Sequence, residues 1–176
     1  MKKIIFFAAA LFALASCSKE DIKMTATVDM AGEWYVTIDG VDEDGNLPDD
    51  DYADFFGDGR IHLNTFNTSA NTETEMWVSD MGNGEYINYQ GKVKIDLKSL
   101  TFATDGAVEN IYDEDGGTMT IEGGKILLGA GHQNNGAPAD SIVFYLSLEG
   151  DPYPAAYGFS KYRISGIRYS GLAEND

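Results

Sequence analysis

Cysteine is all but absent: Cys17 is the single one in 176 residues, so no disulfide forms within the chain. Histidine is nearly as scarce, and His62 and His132 lie in unrelated contexts, a poor basis for a zinc site. Lysine and arginine together number 12 against 29 aspartates and glutamates, a formal charge of −17 at pH 7. A surface of that sign repels nucleic acid and anionic headgroups, so neither is an expected partner. No Gly-x-Ser-x-Gly nucleophile elbow occurs. There is no stripe of apolar residues at helical spacing and no internal repeat, and proline stands at only four. What remains is rich in glycine and aromatics, with short alternating apolar runs set between polar ones, which is an all-β pattern.

The first 17 residues read as an address label. "MKKIIFFAAALFALASC" has a basic start at Lys2 and Lys3, an apolar run from Ile4 to Leu14, and small residues before Cys17. The run is too short to span a bilayer and has the flanks of a secretory signal. The ending Leu14-Ala15-Ser16-Cys17 resembles a bacterial lipobox, which makes Cys17 the acylated N-terminus of the mature protein. The alternative is an ordinary signal peptide with an incidental cysteine, although cleavage sites of that kind usually read A-x-A. On this reading the membrane link is the acyl anchor. The tract Ser18 to Asp21, "SKED", resembles the export tag of surface lipoproteins of the Bacteroidetes, so an outer-membrane, surface-exposed location is expected, with a periplasm-facing one as the alternative. Residues 18–30 form a tether and residues 31–176 one domain, long enough to bury a core.

Within that domain the alternation is regular. In "GEWYVTID" Trp34, Val36 and Ile38 share one face, and Glu33, Tyr35, Thr37 and Asp39 the other. In "RIHLNTFNT" Ile61, Leu63 and Thr65 oppose Arg60, His62 and Asn64. "ETEMWVSD", "KVKIDL" and "LTFATD" are further strands, the second placing Val93, Ile95 and Leu97 on one side. "TMTIEGGKILLGAG" reads as a hairpin turning at Gly123-Gly124, because a two-residue glycine turn accepts positive φ. "DSIVFYLSLEG" and "FSKYRISGIRYSG" complete eight or nine strands at hairpin spacing. About eight strands close a small antiparallel barrel with room for side chains or one ligand. An open β-sandwich gives the same local pattern and stays as the alternative.

Gly32-Glu33-Trp34 on the first strand resembles the lipocalin Gly-x-Trp, and "YRISGIRYSG" supplies an arginine on the last strand, as lipocalins do. Together with Asp140 to Phe144, the chain resembles a Bacteroidetes lipoprotein family described as lipid-binding putative hydrolases, itself similar to lipocalins. The resemblance covers nearly the whole mature chain; it implies a lipocalin-like barrel and a broad binding role, and carries over no catalytic residue. The last strand ends Arg168-Tyr169-Ser170-Gly171 where the more usual ending is Arg-x-Thr-Gly. On that strand Tyr162, Ile164, Gly166 and Arg168 share parity, which puts Arg168 inward and Arg163 outward. An inward arginine requires an aromatic to stack on and carbonyls to bond, so Arg168 is expected over Trp34, closing one end of the barrel.

Site chemistry is sparse. A Ser-His-Asp arrangement through His132 stays open on sequence grounds, in a Gly/Asn-rich setting that would hold the imidazole loosely. The run Asp42 to Asp51, "DEDGNLPDDD", has a calcium-loop look that fails in detail: Gly45 falls before Asn46, and Ala53 stands where a bidentate glutamate belongs. Solvated acidic turns are the better reading there and at Asp113 to Gly117. No cofactor and no metal are therefore expected. The aromatics are more numerous than a modest core needs. Trp77, Tyr86, Tyr112, Tyr145 and Tyr157 are the expected ligand contacts, with Tyr89 and Tyr153 in the same class. Two functions follow. One is a barrel holding a small apolar or amphipathic, lipid-like molecule. The other is an accessory lipoprotein for glycans or adhesion with a packed barrel; a weak hydrolase is third. A cavity inside the barrel would survive only where small residues such as Gly129 and Gly166 interrupt the bulky ones.

Overall fold

A computed structural model describes residues 24–175, so the leader, Cys17 and the first part of the tether lie outside the described residues. Nine strands follow in chain order: β1 Gly32–Val41, β2 Ile61–Asn67, β3 Glu75–Ser79, β4 Gln90–Asp96, β5 Thr101–Ala103, β6 Val108–Glu109, β7 Thr118–His132, β8 Pro138–Leu148 and β9 Lys161–Arg168. Among the described residues one α-helix, α1, covers Tyr153–Tyr157. All pairings are antiparallel, in the order β5-β4-β3-β2-β1-β9-β8-β7-β6, and β5 also pairs with β7. That last pairing joins the two sides of the sheet. The result is a closed eight-stranded lipocalin-like barrel with β6 as an added ribbon beside β7, and the open sandwich is excluded.

The alternation fills the interior as the period of two requires. Trp34, Val36 and Ile38 of β1, Ile61, Leu63 and Thr65 of β2, and Ile142, Phe144 and Leu146 of β8 are all buried. Trp34 faces Leu63 on one side and Arg168 on the other in the strand register. Leu97 and Leu148, at the ends of their runs, are only half-buried. Positions without side chains do not open the interior. The place a Cβ would take at Gly91 is filled by the Met119 side chain, and at Gly166 by the β1 backbone at Tyr35 and Val36. Gly129 is exposed, with φ +63°, in an irregular part of β7. Neither Gly166 nor Gly129 therefore marks the internal cavity that the sequence pattern allowed.

One expectation needs correction. Gly123-Gly124 is no hairpin turn, because β7 runs through it for 15 residues. Glu122 pairs with Tyr145 and Lys125 with Val143, so β7 carries one residue more than β8 there, a bulge in which Gly123 takes φ +62°. The bulge bends β7 toward β5, where Gly124 pairs with Phe102, whose ring and carbonyl fill the space a side chain would need. The glycine pair thus serves closure, a tertiary role that reads locally like a turn. Part of the segment expected as tether packs on the barrel. Thr27 and Met30 are fully buried, and a turn bonds Met30 N and Ala31 N to the Thr27 carbonyl.

Closure through Gly124 makes a prediction. Gly124→Val places a branched side chain against Phe102, and thermal unfolding should show a loss of at least about 1–3 kcal/mol, the range for overpacking a filled site. An unchanged unfolding midpoint would mean that β5 and β7 do not need this close approach.

Candidate functional site

The register sorts the loops into two ends. Residues 24–31, 68–74, 97–100, 133–137 and 169–175 gather at the end where β1 begins and β9 finishes. Residues 42–60, 80–89, 104–117 and 149–160 gather at the other, which is the mouth.

At the first end Arg168 lies with its guanidinium carbon 4.3 Å from the Trp34 ring centroid. Its Nη1 donates to the Ala31 carbonyl at 2.9 Å and its Nε to Asp140 Oδ2 at 3.2 Å. Gly32 leaves the room that Arg168 Nη1 occupies. The Trp34 indole N–H donates to Thr65 Oγ1 at 3.0 Å, and that hydroxyl donates to the Met30 carbonyl at 2.6 Å. The buried indole N–H and the buried Thr65 hydroxyl thus each have a partner, as the cost of stranding one demands. Arg163 points outward and grips Asp39 Oδ2 through Nε at 3.1 Å and Nη2 at 2.8 Å, while Asp54 N–H donates to the other oxygen. That pair fastens the long 42–60 loop over the outside of β1.

At the mouth, aromatic rings from three separate loops converge. Phe56 is the hub: its ring stacks on Tyr86 at 5.0 Å, meets Phe55 and Tyr153 edge-on at 5.0 and 5.1 Å, and touches Tyr162 at 5.7 Å. Phe55 meets Tyr157 and Phe159 at 5.2 and 4.8 Å. Tyr52 donates its hydroxyl to the Tyr157 carbonyl at 2.7 Å. The rings leave a cleft of about 530 Å³ lined by Tyr52, Phe55, Phe56, Tyr86, Tyr153 and Tyr157, with Asp49 and Asp51 at its edge. A second cleft of about 350 Å³ shares Tyr86 and Tyr153 as its wall and includes Tyr112, Leu148 and Asp151. Volumes of this size suit small molecules. A more open groove of about 440 Å³ follows the seam of β4, β5 and β7 on the barrel wall and encloses a ligand less well.

The cleft is tied to the barrel below. Tyr162, buried on β9, donates its hydroxyl to Asp151 Oδ2 at 2.6 Å, and Asp151 Oδ1 accepts the Tyr153 N–H at 3.0 Å. Burial, reinforced by that bond to a carboxylate, pushes the Tyr162 phenol far above its ordinary range, so it stays a neutral donor. Under the 80–89 loop, Asp80 is fully buried. Its Oδ1 accepts from Gly82 N at 3.0 Å and Tyr89 N at 3.3 Å, while Oδ2 and the buried Tyr89 hydroxyl have no partner among the described residues. Burial pushes the Asp80 carboxyl above the usual carboxylate range despite the backbone donors. Burial, and then the charge of Asp80, raise the Tyr89 phenol well above its own.

The sequence-selected aromatics divide between these places. Tyr86, Tyr112, Tyr153 and Tyr157 line the mouth clefts. Trp77 and Tyr145 stand on the outer wall under Lys92 and Lys161, at 5.5 and 4.8 Å, and Tyr89 is buried in the core. Sequence reasoning missed Tyr52, Phe55 and Phe56. Their signal was present: three large rings in five residues of an otherwise acidic loop need apolar cover, which a solvated turn does not give. In the Asp42 turn the carboxylate accepts Asn46 N–H at 2.8 Å, which lowers its pKa, so this side chain closes its own loop. His62 sits on the outer wall with Nδ1 2.6 Å from Glu33 and its ring edge-on to Tyr35 and Tyr169. His132 is exposed, at the end of β7.

A family model described as lipid-binding putative hydrolase matches residues 19–173. One described as a prokaryotic membrane lipoprotein lipid attachment site matches residues 1–18, which contain Cys17 and mark a membrane-anchored lipoprotein. No curated protein matches the chain.

The buried Asp80 predicts a pH effect. A carboxyl whose folded pKa is raised ionises at a cost to the folded state, present above that pKa and relieved as pH falls through it. Asp80→Asn keeps an oxygen for Gly82 and Tyr89 and removes the charge. Chemical denaturation should find the variant favoured relative to wild type at neutral pH, with the gap narrowing toward about pH 4. A gap independent of pH would refute a buried, ionised Asp80.

Proposed function

The chain belongs to the lipid-binding putative hydrolase family, and from that premise we propose that it is an outer-membrane lipoprotein, displayed at the cell surface, that holds a small amphipathic, lipid-like molecule in the aromatic cleft at its barrel mouth. The observation that carries this reading is the convergence of Tyr52, Phe55, Phe56, Tyr86, Tyr153 and Tyr157 from three loops onto one cleft. Such rings offer apolar area with polar tips, which suits a molecule having both characters. The interior of the barrel is filled by side chains including Trp34, Tyr89, Phe144 and Tyr162, so the ligand rests at the mouth and against the barrel's upper layer.

Orientation supports display. The chain leading from Cys17 enters the fold beside Trp34, and the cleft lies at the opposite end. An acyl anchor at Cys17 therefore directs the cleft away from the bilayer. Trp34 and Arg168 have the structural role in this reading: they close the anchored end and keep clear of the ligand. Binding also asks less of the molecule than hydrolysis does. His62 with Glu33 makes the base-and-orienter half of a triad, but the pair stands on the outer wall and neither residue lines a mouth cleft.

Phe56→Ala removes the hub ring and should weaken binding of decyl maltoside, measured by calorimetry below its micellar concentration, by at least about tenfold. Arg168→Ala should leave that binding unchanged and lower stability by about 1–2 kcal/mol. Binding untouched in the first variant would remove the cleft from the reading. Hydrolysis of generic ester or glycoside substrates that vanishes in His132→Ala would replace binding by catalysis.

Cys17→Ala should move the protein from the membrane to the soluble fraction of its own cells. Retention on the membrane would reveal another anchor.

A further inference from the structure

The two ends of the barrel differ sharply in charge. The mouth loops, residues 42–60, 80–89, 104–117 and 149–160, carry seventeen carboxylates and one cation, Arg60. The loops of the anchored end carry three carboxylates, Asp29, Glu73 and Glu174, and one cation, Lys98. The acidic character of the chain is thus concentrated around the aromatic cleft. Asp49 and Asp51 edge the larger cleft, and Asp113, Glu114, Glu149 and Asp151 line the smaller one, while neither is lined by a lysine or arginine.

The rings themselves are available to a cation. Elsewhere cations of the chain already cover rings: Arg60 on Tyr35, Lys92 on Trp77, Lys161 on Tyr145 and Arg168 on Trp34. None of these four rings belongs to the cleft, and among the described residues no cation lies over a cleft ring. Tyr86 and Tyr157 are 48% and 56% exposed, so both reach solvent although one face of Tyr86 lies on Phe56. A set of aromatic faces bordered by carboxylates is the arrangement that favours a substituted ammonium: the ring quadrupoles attract the cation, the apolar faces accept its alkyl groups, and the acidic rim gathers it from solution. The same rim repels a sulfate, phosphate or carboxylate head.

From this convergence of aromatic cleft and one-signed rim we propose that the ligand is a cationic amphiphile, an alkylammonium head seated among Tyr52, Phe56, Tyr86 and Tyr157 with its apolar tail along the cleft. The inference rests on the reading of the cleft as the binding site and adds the charge class of its ligand.

Three probes with one decyl tail test it: decyltrimethylammonium, decyl maltoside and decyl sulfate, each below its micellar concentration, titrated by calorimetry into the mature chain carrying Cys17→Ala. The ammonium should bind at least about tenfold more tightly than the maltoside, with the sulfate weakest. The preference should shrink in about 0.5 M salt and in Asp49→Asn combined with Asp51→Asn. Phe56→Ala should abolish it. Equal binding of ammonium and maltoside, both lost in Phe56→Ala, would overturn the cationic ligand and leave the cleft reading standing. An ammonium preference that persists in Phe56→Ala would place the cation on the acidic rim outside the cleft and overturn the proposal. Binding of no probe that depends on Phe56 would overturn the cleft reading as well.

Discussion

The fold depends on one close approach. Eight strands make a barrel only when the sheet meets itself, and here the short strand β5 must reach β7. A two-residue glycine bulge lets β7 bend there, with Gly123 at positive φ and Gly124 against the Phe102 ring and carbonyl. Without that contact β5 and β7 would be sheet edges with unpaired backbone groups, and the interior from Trp34 to Phe144 would open to water. Phe102 joins the two functions, since its ring also packs against Phe144 at 5.6 Å in the core.

Closure fixes the two ends, and the ends divide the work of the molecule. At one, Trp34, Arg168, Thr65 and the carbonyls of Met30 and Ala31 form a hydrogen-bonded group, which binds the entering chain to the first and last strands. At the other, the loops are long and acidic and hold their shape by packing aromatic side chains. The Asp54 N–H bond to Asp39, itself held by Arg163, and the Tyr162–Asp151 bond connect these loops to the barrel wall and to the core. A mobile acidic rim would scatter its charges. Rings locked against Phe159 and Tyr162 keep the carboxylates of the 42–60 loop beside the cleft.

The polar group under the 80–89 loop is of a different kind. Asp80 and Tyr89 are buried with an oxygen each lacking a partner among the described residues, next to a loop that contributes Tyr86 to the cleft. Stranded polar atoms are costly in a core and are usually bridged by ordered water or met by a ligand. Their position near the mouth, below the cleft wall, makes the 80–89 loop the least firmly satisfied part of that end.

Much of this was legible in the chain itself. The lipidation signal around Cys17 is a linear motif, readable because the machinery that processes it acts on an extended chain. The inward faces of β1 and β2 followed from strict alternation, because a strand with one wet and one dry face must repeat with period two. The parity of β9 likewise placed Arg168 on the inner face, where it meets Trp34. Tertiary structure decided the rest. Gly123-Gly124 has the local chemistry of a turn, and only the distant demand of β5 makes it a bulge. Trp77 and Tyr145 look no different in sequence from Tyr86 and Tyr157, yet the first two face outward beside lysines and the second two line the mouth. Alternation says which face of a strand a residue occupies. It cannot say which loops meet at which end, because that depends on how an antiparallel sheet is ordered and closed, and those contacts join residues as far apart as Tyr52 and Tyr157.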